Sequence, residues 1–92
     1  MEDFKDKVVV ITGGATGIGF GLAKRFGVLG AKIVIGEPRQ NRLDEAMATL
    51  TELGVDAAAM VMDVTQPDSM ESFANFAWDT FGGAHVLINN AG

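Results

Sequence analysis

The chain has 92 residues, 48% of them hydrophobic and 21% charged, with a formal net charge of −5 and no cysteine. That length allows one small domain, and the hydrophobic share fits a packed globule that buries only about 60 to 65% of the surface its unfolded form exposes. The acidic balance, with a pI near 4.5, argues against nucleic-acid partners, which call for a clustered basic surface, and the missing cysteines exclude disulfides, thiolate metal sites and cysteine nucleophiles.

The N-terminal M-E-D-F-K-D-K is mixed in charge and opens no signal-peptide core. The longest apolar run falls far short of the ~18 residues of a membrane span. A soluble cytoplasmic protein without a membrane partner is therefore expected. Val8 to Ile11 is an unbroken β-branched run, the pattern of a strand covered on both faces in a parallel sheet. Directly behind it, Thr12 to Gly19 reads T-G-G-A-T-G-I-G. Glycines in such a turn let the backbone approach a charged ligand, and the helix that follows presents unpaired N–H groups to an anion.

Ile18, Leu22 and Phe26, with Ala23 and Leu29, predict one apolar stripe on a helix from about Gly17 to Leu29, ended by Gly30. Ile33, Val34 and Ile35 form a second strand, stopped by Gly36-Glu37-Pro38. Leu43, Ala46, Met47, Leu50 and Leu53 mark a second amphipathic helix, capped by Gly54. A third strand is expected from Asp56 to Met62, although its alanines and methionines make a weak β pattern.

Thr65-Gln66-Pro67-Asp68 predicts the start of a third helix, with Thr65 as N-cap, Pro67 in the first turn and Asp68 in a capping-box-like place. Met70, Phe73, Ala74, Ala77 and Phe81 lie on its buried face, Trp78 borders that face, Phe76 falls off it, and Gly82-Gly83 stops the helix. Val86, Leu87 and Ile88 form a fourth strand, followed by Asn89-Asn90-Ala91-Gly92. Strands and helices that alternate in this way call for a parallel sheet with right-handed crossovers. The predicted class is an α/β, Rossmann-type three-layer fold with strand order 3-2-1-4, truncated after the fourth strand, the first two helices on one face and the third on the other.

The signal for chemistry is a strand, a glycine turn and a helix followed by an acid. Glu37 follows Gly19 by a little under the ~20 residues expected of a carboxylate that accepts from ribose hydroxyls. The glycines do not spell G-x-G-x-x-G, and Phe20 after Gly19 excludes the ATPase type of phosphate loop, which needs Lys-Ser or Lys-Thr.

T-G-x-x-x-G-x-G at Thr12 to Gly19, Asp63-Val64 behind the third strand, and N-N-A-G at Asn89 to Gly92 together resemble the N-terminal half of a short-chain dehydrogenase/reductase. The resemblance covers essentially all of residues 1–92, read as a partial NAD(P)-binding domain. It implies that Gly13, Gly17 and Gly19 border a pyrophosphate, with Thr16 and Ile18 in contact. It also implies that Asp63 accepts from the adenine amino group, that Val64 touches the ring, and that Asn90, Ala91 and Gly92 run past the adenosine ribose toward the nicotinamide.

Glu37 at the ribose would repel the extra phosphate of NADP, and Thr16 lacks a basic side chain to balance one, so NAD is expected over NADP. Arg39 and Arg42 stand against this, because either can turn toward a phosphate.

Structural readings stand beside these assignments. The glycines can serve close helix–strand packing, Asp63 can be a helix-entry acid beside Thr65, Asn89 can bond backbone at a strand end, and His85 can be a strand-entry residue.

The resemblance further implies a catalytic tyrosine and lysine in Y-x-x-x-K, a serine and another asparagine, all beyond N-N-A-G. The chain has no tyrosine, and Ser69 and Ser72, its only serines, fall at the start of the third helix, so no catalytic residue is assigned. The expectation is an NAD-dependent oxidoreductase acting on an alcohol or carbonyl compound, in a homo-oligomeric parent, with these residues inactive alone. A non-catalytic dinucleotide-binding module and a methyltransferase-type nucleoside binder are the alternatives; the second does not account for N-N-A-G.

Overall fold

The computed structural model describes residues 4–90. Strand β1 (Val8–Thr12) leads to helix α1 (Gly17–Val28), then β2 (Lys32–Glu37), α2 (Gln40–Glu52), β3 (Ala57–Val61), α3 (Ser69–Phe81) and β4 (Val86–Asn89). The strands form one sheet in the order β3-β2-β1-β4, and every neighbouring pair is parallel. The Rossmann-like three-layer order is thus the one the sequence predicts.

Strand period explains the layers. Val9, Ile11, Ile33 and Ile35 point to one face, where Ala23 of α1 and Leu43, Ala46 and Leu50 of α2 complete a core. Val8, Val10 and Val34 point to the other, against Phe73 and Ala77 of α3. All five residues of β1 are buried, which is why its sequence does not alternate with polar residues.

Helix ends follow glycine. Gly30, at φ +99, lets Ala31 N–H reach Phe26 O at 3.1 Å, and Gly54, at φ +74, does the same for Val55 N–H and Leu50 O at 3.0 Å. Both close orphan carbonyls at the ends of α1 and α2.

Four details differ from the sequence expectation. Strand β2 extends through Gly36 to Glu37, because Gly36 pairs with Met60 and Glu37 with Val61. A Cβ on Gly36 would sit 2.6 Å from Met62 Cγ, so glycine there serves packing under α3. Helix α3 begins at Ser69 with Asp68 as N-cap, not at Thr65, because the Thr65 hydroxyl donates to Asp63 Oδ1 at 2.7 Å. Its buried face takes Phe73 and Ala77, with Phe76 packed beside them, while Ala74 is exposed. Ile18, placed on the stripe of α1, is 77% exposed, since Gly19 and Ala23 are the residues that meet the sheet.

No helix among the described residues is long and apolar enough to cross a membrane. Helix α3 covers less of β4 than of its neighbours. Leu87 stays 57% exposed, and a shallow hollow of about 160 Å³ opens between α3 and β4, lined by Val10, Met70, Phe73, Ala74, Ala84 and Leu87.

Candidate nucleotide-binding site

All strands point the same way, so their C-terminal ends share one rim, and the polar motifs fall on that rim. At its centre β1 and β4 run side by side, with Thr12 opposite Asn89. Helices α1 and α2 cover one face and α3 the other, which makes this the switch point where an open α/β sheet has its ligand crevice.

The glycine turn begins at the end of β1. Gly13 N–H donates to Gly36 O at 2.8 Å, which ties the turn to β2. Gly13 at φ +66 and Gly17 at φ +58 take the left-handed conformation that an L side chain disfavours. Thr16 is the N-cap of α1, but its side chain makes no cap hydrogen bond, and the first turn of the helix holds no acid. The leading N–H groups of α1 therefore keep their partial positive charge for an outside acceptor.

Close approach explains Gly19. A Cβ there would lie 2.2 Å from Gly13 O and 2.7 Å from Asn90 Nδ2. Gly14 is similarly pressed, with Ile35 Cγ2 at 2.6 Å. Gly17 has nothing within 4 Å of its missing Cβ. Gly19 thus brings α1 onto the turn after β1, Gly14 seats that turn on β2, and Gly17 leaves open space. Ile18, exposed beside Gly17, borders that space.

The end of β4 is clasped to the same turn. Thr12, fully buried, donates from Oγ1 to Asn89 Oδ1 at 2.9 Å and accepts from Asn90 N–H at 3.1 Å. Asn90 Nδ2 in turn donates to Gly13 O at 3.3 Å. The Asn89 side chain holds the strand ends together through the Thr12 hydroxyl rather than through the backbone groups its structural reading names. Thr12 opens the T-G-x-x-x-G-x-G motif without a contact of its own being expected; the signal for one is a hydroxyl preceding Gly13 in a chain whose fourth strand ends in two asparagines. Ala91 and Gly92 lie outside the described residues.

Two carboxylates stand farther along the rim. Glu37, at the end of β2, is 2% exposed and accepts from Arg39 Nε at 2.5 Å. Asp63, in the loop after β3, is exposed, and its Oδ1 accepts from the Thr65 hydroxyl and from Thr65 N–H at 2.9 Å. The hydroxyl bond, then the backbone bond, hold the Asp63 carboxyl below the usual carboxylate range. Val64 beside it is half-buried against the α3 core.

His85 sits at the opposite end of the sheet. Its Nδ1 accepts from Val8 N–H at 2.9 Å, and its own N–H donates to Val8 O at 2.9 Å. It secures the entry of β4 beside β1. Another hollow, of about 310 Å³ between β3 and the start of α3, is lined by residues such as Met60, Met62, Pro67 and Ser72 and does not include the glycine turn.

Comparison with known proteins agrees with this arrangement. A Cα-dehydrogenase of Sphingobium sp. (strain NBRC 103272 / SYK-6) is 42% identical over 90 residues, covering 98% of this chain and 30% of the relative. The apo structure of LigO from Sphingobium sp. strain SYK-6 superposes with a TM-score of 0.93 at 33% identity, over 100% of this chain and 34% of that one. A metagenomic short-chain oxidoreductase solved in complex with NADP gives 0.89 at 30% identity, over 97% of this chain and 40% of its own. The chain spans about a third of the length of the relatives it matches. The short chain dehydrogenase family model matches residues 7–92, and with strand order, glycine turn and asparagine clasp all in place, the chain belongs to the short-chain dehydrogenase family.

Proposed function

We propose that this chain is the dinucleotide-binding part of an oxidoreductase that moves a hydride between NAD(H) and an alcohol or carbonyl compound. The observation that carries this reading is the open N-terminus of α1. Its donors are uncapped, Gly17 leaves space in front of them, and Gly19 sets the helix directly on Gly13. That cradle fits a pyrophosphate.

In this reading Gly13, Thr16, Gly17, Ile18 and Gly19 surround the pyrophosphate. Glu37 accepts from the adenosine ribose, and Asp63 and Val64 meet the adenine. Asn90, Ala91 and Gly92 lead toward the nicotinamide, which when bound supplies or receives the hydride. Glu37 favours NAD over NADP, while the NADP complex of the metagenomic relative supports the wider class NAD(P). Proton transfer to the developing alkoxide needs an acid within hydrogen-bond reach; the chain has no tyrosine, and this reading assigns that role to none of the described residues. Its own contribution is to bind and orient. Substrate selection, proton transfer and subunit association belong, in this proposal, to the intact protein.

Calorimetric titration of the intact protein with NADH and NADPH tests the reading. Saturable binding that is lost in Gly17→Val, with folding retained, is the expected result. An intact protein that binds neither nucleotide overturns it. Binding without turnover on any alcohol or carbonyl compound would favour the non-catalytic module.

A further inference from the structure

Strands β1 and β4 meet at two ends, and the end away from the glycine turn is closed by one titratable side chain. Their paired register begins with Val9 beside Val86. Val8 lies one residue earlier and is 1% exposed, so its backbone groups need partners inside the protein. Both find them in His85. Val8 O accepts from His85 N–H at 2.9 Å, as in a strand ladder, but Val8 N–H donates to the His85 ring, at Nδ1, also at 2.9 Å. The imidazole takes the place of a backbone carbonyl where β4 has not yet begun.

The turn after α3 is shaped to this ring. Gly83 is buried, and a Cβ on it would sit 2.9 Å from His85 Cε1 and 3.4 Å from Nδ1. A donor facing Nδ1 requires a lone pair there, which fixes the neutral ring with its proton on Nε2. A second proton, on Nδ1, would set two donors against each other and strand the N–H of a buried residue. His85 is itself exposed, so solvent protons reach the ring in the folded chain. The charged groups of the adjoining segments do not tie it. Lys32, beside Val8 in the sheet, pairs with Asp6 and Asp56. Lys7, before β1, and Asp79, in the last turn of α3, are exposed, and no described residue forms an ion pair with His85.

We propose that His85 is a proton-sensitive latch on β4: the neutral imidazole holds the entry of the strand to β1, and the imidazolium releases it. Strand β4 has four residues and ends at Asn89, so release at its entry also loosens the clasp of Thr12 with Asn89 and Asn90 at its other end. The latch does not depend on what the rim binds.

Thermal melting and hydrogen exchange of the intact protein between about pH 8 and pH 5.5, above the range in which ordinary carboxylates titrate, test the latch. His85→Asn is the variant to compare, because its Oδ1 stands in for Nδ1 as acceptor and does not titrate. Across that range the folded-to-unfolded ratio of the wild-type protein should fall about tenfold more than that of His85→Asn. Protection of the Val8 and Asn90 amides, corrected for the intrinsic pH dependence of exchange, should drop on acidification in the wild-type protein alone. Nitrogen NMR of the wild-type protein should show the Nε2–H tautomer of His85 at the alkaline end. Equal pH profiles in the two proteins, or an Nδ1–H tautomer, would overturn the latch. If His85→Asn does not fold, the tautomer and the Val8 protection of the wild-type protein decide: protection that stays constant with pH overturns the proposal.

Discussion

The rim of the sheet divides into a neutral centre and a charged flank. At the centre, Thr12, Gly13, Asn89 and Asn90 are joined by neutral hydrogen bonds, and Gly19 fits against them by shape. On the flank, Glu37 and Asp63 are held by Arg39 and Thr65. Thr12 and Gly19 are buried, so the hydroxyl and the close Gly19–Gly13 approach tolerate little change of volume or partner, although the Asn89 and Asn90 side chains are exposed. The half-exposed Arg39 guanidinium and the exposed Asp63 keep water as an alternative partner, whereas the buried Glu37 carboxylate depends on Arg39. In the proposed function the centre builds the cradle, and the flank is the part that meets the adenosine end.

Substitution at the centre should break this division most severely. Gly19→Ala places a methyl group against the Gly13 carbonyl, a backbone atom that cannot rotate away, so a loss of about 3 kcal/mol is expected from overpacking. Denaturant unfolding measures it, and a wild-type midpoint would show that α1 can shift off the strand. Thr12→Val comes next. It keeps the shape but removes the partner of Asn89 Oδ1 and Asn90 N–H, for a loss of about 1 to 2 kcal/mol. Faster amide exchange at Asn90 is its local signature. Gly17→Ala should cost about 1 kcal/mol, since its φ of +58 strains an alanine while no neighbour resists the methyl. A larger loss than in Gly19→Ala would invert the ranking of packing over conformation.

Those three positions also mark what could be read from the sequence. Period-two burial and glycine punctuation are local signals, so the order of elements, the sheet order and the glycine turn were all legible. Partner choice was not. Thr65 has a good N-cap side chain, yet Asp63 two residues earlier captures its hydroxyl, and α3 starts later for that reason. Ile18 fits the apolar spacing of α1, but the neighbouring glycine takes the contact with the strand and turns Ile18 outward. Glu37 was legible as an acid at a strand end. That its charge is already met by Arg39 depends on a bend at Pro38 which spacing does not encode.

On the flank, Arg39→Ala should lower stability by about 1 to 2 kcal/mol, because water replaces part of the half-exposed guanidinium while the buried Glu37 carboxylate loses its partner. A stability loss as large as that of Gly19→Ala would erase the distinction between centre and flank, since it would make the pair a structural element in its own right.

The smallest effect belongs to Asp63 and sharpens the comparison through pH. Its carboxyl is held below the ordinary value first by the Thr65 hydroxyl and then by the Thr65 backbone N–H. A depressed folded-state pKa means that the unfolded chain binds the proton more readily. The contribution to stability is therefore fully present above the unfolded value near 3.8 and is lost as pH falls through the lower, folded value. Thr65→Ala removes the leading cause and leaves the backbone bond, so the Asp63 midpoint should rise part of the way toward the ordinary value. Carboxyl-carbon NMR titration follows that rise, and the melting difference between wild type and variant should be largest near pH 5 and shrink toward pH 2 as the carboxyl becomes protonated in both. A full return to the ordinary value in Thr65→Ala would mean that the backbone bond contributes nothing, and that the loop after β3 is shaped by the Asp63–Thr65 side-chain pair alone.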